Sequence, residues 1–83
     1  MKTGDWRHVA DKVFRLLEHA GRTNYESFDR WHAVRYDISR KMMITCKPSA
    51  KYLFECGHQI SEAEALELIK DCNHQEDVEE ADG

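Results

Sequence analysis

Eighty-three residues carry 12 Lys and Arg against 16 Asp and Glu, a net charge of −4, with 41% hydrophobic and 10% aromatic content. A chain this short buries only about 60% of its unfolded surface, so one thin core is expected and the deep cleft of most enzymes is not. The longest apolar runs, Met42-Met43-Ile44 and Tyr52-Leu53-Phe54, are too short to span a membrane, and the charged first dozen residues hold no signal segment.

In chain order, residues 5–20 give the clearest pattern. Trp6, Val9, Ala10, Val13, Leu16, Leu17 and Ala20 recur at three- and four-residue steps, which predicts an amphipathic helix opened by Asp5 and stopped at Gly21. Residues 23–30 read as a polar connection anchored by Tyr25 and Phe28, loop or short helical turn. From Trp31 the period becomes two. Val34, Tyr36 and Ile38, then Met42, Ile44 and Cys46, then Tyr52, Phe54 and Cys56 alternate with other residues, predicting three strands. A loop over Ser39, Arg40 and Lys41 would set Tyr36 opposite Ile44, and a second loop from Lys47 to Lys51 would set Met42 opposite Cys56. Ser61 and Glu64 form a capping box that opens a second helix reaching Cys72.

The fold expected is therefore α+β in a single domain over residues 1–74. Its order is α-β-β-β-α, a three-stranded antiparallel meander covered on one face by two helices. Leu16, Leu17, Val34, Tyr36, Ile44, Phe54, Leu66 and Ile69 are its expected core. Residues 75–83, with five acids and a single valine, read as a disordered acidic tail.

Charge is unevenly laid out. Residues 1–51 hold eleven Lys and Arg against six acids, net +5, whereas residues 52–83 hold Lys70 against ten acids, net −9. Two surfaces follow. Glu62, Glu64, Glu67 and Asp71 would form an acidic face able to dock on a basic partner. Trp31 and Arg35, with Arg40, Lys41 and Lys47 near the strand ends, would instead give an aromatic and cationic face of the kind that binds single-stranded nucleic acid. Charges on edge strands also serve simply to block aggregation.

Two Cys-x-His triplets, Cys56-Gly57-His58 and Cys72-Asn73-His74, raise the question of zinc, with Cys46 as a further donor. On the expected fold they sit at opposite ends of the second helix, roughly 16 Å apart, so they cannot share an ion. Cys56 and Cys46 would be separated by roughly 13 Å along their strands. No metal, cofactor or catalytic residue is assigned, and the three cysteines are expected on core-facing positions. A structural zinc domain stays the least favoured alternative. Three cysteines also make no secreted disulfide framework, which points to a cytoplasmic, reduced protein.

The α-β-β-β-α order resembles that of double-stranded-RNA-binding domains, a likeness that implies a Lys-rich start to the second helix. Ser61-Glu62-Ala63-Glu64 stands there instead, the wrong sign for a polyanion. In size, bipolar charge and lack of site motifs, the chain is similar to small phage- or mobile-element-encoded inhibitors, anti-CRISPR proteins included. The reading reached is a non-enzymatic binding protein that docks on a larger host protein or complex. A nucleic-acid-binding regulator is the alternative.

Overall fold

The computed structural model describes residues 1–22, 29–72 and 74–75. Residues 5–20 form a hairpin, not a helix. Strand β1 (Trp6–Val9) turns back through Ala10 and Asp11 into β2 (Lys12–Arg22), with Val9 opposite Lys12 and Trp6 opposite Arg15. Ala10 takes φ 55° to close so short a turn, a left-handed conformation that alanine adopts reluctantly. The helical reading fails for a physical reason: both faces of this hairpin are covered. Trp6, Val9, Val13, Phe14 and Leu16 are all buried, so clean alternation disappears and the spacing imitates a helix.

Strand β2 pairs with β3 (Asp29–Asp37), with register irregularities between Leu16 and Glu18 and between His19 and Gly21. The expected hairpin of β3 with β4 (Met42–Cys46) is present, but its register differs by one residue: Tyr36 stands opposite Met43 and Arg35 opposite Ile44. The Asp37 carboxylate sets this loop by accepting from the Ser39 hydroxyl and the Arg40 amide, each at 3.0 Å, while Lys41 takes φ 56°. A slip of one residue exchanges the two faces of a strand, so Ile44 and Cys46 share a face with Arg35 and Ala33 instead of Tyr36 and Val34.

Helix α1 (Ala50–Cys56) replaces the expected third strand. Ser49 caps it by accepting from the Tyr52 amide at 3.1 Å, directly after Pro48, which has no amide of its own to donate. The alternation of Tyr52, Phe54 and Cys56 is incidental. Leu53, the residue between, is fully buried, whereas Phe54 and Cys56 are exposed. Strand β5 (His58–Ile60) then lies along β1 at the sheet edge. Helix α2 (Glu62–Leu68) opens as the capping pattern predicts, Ser61 Oγ accepting from the Glu64 amide at 3.1 Å, but it stops well short of Cys72. Strand β6 (His74–Gln75) runs parallel to β4 beside Met42 and Met43, so the expected tail begins with a backbone-paired Gln75. Residues 76–83 of that tail and the connection at 23–28 lie outside the described residues.

The result is a small mixed α/β domain whose sheet runs β5-β1-β2-β3-β4-β6, antiparallel except at β6, with two helices. Ala65 and Ile69 pack with Trp6, Val13, Tyr36, Ile60 and Cys72 on one face. Leu53 packs with Val9, Phe14, Leu16, Trp31, Ala33 and Cys46 on the other. The helices thus cover opposite faces, not one, and the topological likeness to double-stranded-RNA-binding domains falls away. Among the described residues no helix is long and apolar enough to cross a membrane.

Candidate functional site

The outer face of α2 is the most distinctive surface. Ala65 is fully buried, Ile69 nearly so, and Leu68 packs against the same cluster, which fixes the orientation of the helix. Its other side is left to solvent: Glu62, Ala63, Glu64, Leu66 and Glu67 are exposed, as are Lys70 and Asp71 just beyond. Leu66, expected in the core, is 52% exposed. It lies one turn from Glu62 and Ala63, so an exposed apolar side chain stands beside the acidic residues of the helix. Lys70 Nζ lies 3.3 Å from Glu67 Oε1, an exposed pair that leaves the face net negative.

The aromatic and cationic face does not form. Trp31 and Arg35 are buried, at 6% and 9% exposure, because α1 covers the side of the sheet expected to meet solvent. Trp31 also meets His19 in a T-shaped contact with ring centroids 5.2 Å apart. Arg40 and Lys41 are exposed in the β3–β4 loop, while Lys47 follows the far end of β4. Six residue steps along the strand put Lys41 and Lys47 roughly 20 Å apart. The carbonyl of Lys47 accepts from Arg30 Nη1 at 2.6 Å.

The cysteines are also dispersed. Cys46 and Cys72 are buried, but Cys56, expected to face the core, is exposed at the end of α1. Burial pushes the Cys72 thiol up in pKa, reinforced by the charges of Asp37 and Asp71, and the thiol donates to the Asp37 carbonyl at 3.4 Å. A thiol held protonated in this way is a poor ligand and a poor nucleophile. Among the described residues no group of three or more His, Cys, Asp and Glu gathers. An open depression of about 280 Å³, lined by Gly4, Asp5, Trp6, Gln59, Ile60, Ser61 and Glu62, adjoins the start of α2.

One juxtaposition escaped the sequence altogether. His8 and His58 stand directly opposite on β1 and β5, their ring centroids 5.5 Å apart. They are fifty positions apart in the chain, and reading His8 onto a helix hid any signal that could have joined them.

Comparison with family models, with curated proteins and with solved structures gave no match.

Proposed function

We propose that this chain is a non-enzymatic binding protein that docks through the outer face of α2 on a basic surface of a larger protein or complex, as a small inhibitor or regulator would. The observation that carries the reading is Leu66, half exposed on a helix whose solvent side also carries Glu62, Glu64 and Glu67, with Asp71 exposed just beyond. An exposed apolar side chain on a face of acidic charge offers both terms of an interface, the charges steering encounter and the apolar contact supplying affinity. The net −9 of residues 52–83 extends the same sign beyond the helix.

The test is affinity capture from native lysate with paired baits, the wild-type chain and Glu62→Lys/Glu67→Lys. Circular dichroism first establishes that both baits are folded. A basic protein retained by the wild type, released by salt and lost from the double variant is the expected result. Equal retention on both baits would overturn the reading.

A further inference from the structure

We propose that His8 and His58 form a two-histidine site for a borderline divalent transition-metal ion, of which zinc is the type. Antiparallel pairing sets the two residues directly opposite on β1 and β5, so both side chains leave the same face. An ion bonded to one nitrogen of each ring at 2.0–2.1 Å would sit about 3.2 Å from each ring centre, and a tetrahedral angle would then separate the centres by about 5.2 Å. The observed separation is 5.5 Å. Strand pairing sets the residues opposite, and their rings stand near chelating separation.

The surroundings suit a cation that keeps water ligands. His58 is exposed and His8 half-buried, leaving the remaining coordination positions open to solvent. The neighbouring cation, Arg7, alternates to the opposite face of β1, where its guanidinium donates to the carbonyls of Leu53 and Gly57 at 3.0 and 2.9 Å. Imidazole nitrogens select zinc, copper and nickel over magnesium and calcium. An ion here would staple the three-residue edge strand β5 to β1, and with it the end of α1 and the start of α2.

The test is calorimetric titration of the whole chain with zinc, then with calcium. One zinc per chain is expected, weakened at least tenfold in His8→Gln and in His58→Gln, unchanged in Cys56→Ser, with no calcium binding. Zinc should also slow amide exchange over residues 58–60. His58 is exposed, so its variant keeps the fold, which circular dichroism checks. Three outcomes would overturn the proposal. One is no binding at millimolar zinc, which would leave the pair as cross-strand packing. Another is loss of binding in Cys56→Ser, which would assign the thiol. The last is binding that survives His58→Gln and disappears in His19→Gln, where His19 Nε2 lies 3.8 Å from Asp29 Oδ2.

Discussion

The Arg7 guanidinium donates to the Leu53 carbonyl through both Nε and Nη2, at 3.2 and 3.0 Å, and so ties β1 to the end of α1. Nη2 also reaches the Gly57 carbonyl at 2.9 Å. These oxygens end a seven-residue helix, and a C-terminus has no amides of its own to offer them. Arg7 is 6% exposed, so water cannot take its place. Arg7→Ala should therefore cost about 2–3 kcal/mol, measured by urea unfolding. Arg7→Lys should recover only part, because an ammonium cannot span the same fork of acceptors. An Arg7→Ala melt within a degree of wild type would show that the cap is dispensable.

Gly57 is required by closeness, not by its backbone angles. A Cβ there would run into the Val9 side chain and stand 2.8 Å from the His8 carbonyl oxygen. Gly57→Ala should lower stability by about 1–3 kcal/mol. Trimming Val9 to alanine in the same chain should not restore it, because the carbonyl of His8 is backbone and cannot move aside. Restoration in that double variant, read from paired thermal melts, would contradict this.

Leu16 and Leu17 separate what the sequence showed from what it hid. On a helix both would face the core, and Leu17→Ala would then cost about 2–5 kcal/mol. On β2 they differ: Leu16 is 1% exposed and Leu17 39%. Leu16→Ala should cost that amount, and Leu17→Ala under about 1 kcal/mol. Chemical denaturation of the two variants side by side checks the order, and equal losses would refute it.

Legibility followed the range of the interaction. Ser61 with Glu64, and the existence of the β3–β4 hairpin, rest on contacts within a few residues, and both are present. The β3–β4 register depends on Asp37 accepting from its own loop, and β1–β2 depends on a left-handed Ala10; neither leaves a strong local signature. Which sheet face is wet depends on α1, and α1 resembled a strand because Tyr52, Phe54 and Cys56 alternate. Ser49 after Pro48 was the available clue to its start. With α1 in place of a strand, Trp31 and Arg35 are buried. Glu62, Glu64, Glu67 and Asp71, by contrast, follow from a short helix with one buried stripe, and all four are exposed.

Asp11 gives a pH signature. Its carboxyl lies below the usual carboxylate range, chiefly through the Lys12 ammonium at 3.0 Å and then the Ser39 hydroxyl at 2.9 Å. That hydroxyl also lies 3.0 Å from Asp37 Oδ1, and its single proton serves one carboxylate at a time. A depressed carboxyl adds stability above its unfolded pKa and loses it as pH falls through the folded value. Lys12→Ala should raise the Asp11 midpoint in an NMR titration, and Ser39→Ala should raise it less. An unmoved midpoint in Lys12→Ala would show that the contact does not persist in solution.

Trp31 would be the natural target for testing nucleic-acid binding, and its burial makes it the wrong one. Trp31→Ala removes a core side chain packed with Leu16, Ala33 and Leu53, so a loss of about 3–5 kcal/mol in stability is expected. Any accompanying loss of oligonucleotide binding would then report unfolding, not a missing stack. Arg40 and Lys41 are the clean probes, being exposed in one loop where the Arg40 amide donates to Asp37. Labelled single- and double-stranded oligonucleotides at low salt should show no micromolar binding, because the acidic face of α2 repels phosphates and the cations do not converge. If micromolar binding appeared, were lost in Arg40→Ala/Lys41→Ala with the melt intact, and persisted in Glu62→Lys/Glu67→Lys, the loop would be the working surface. Docking through α2 would then be the wrong reading.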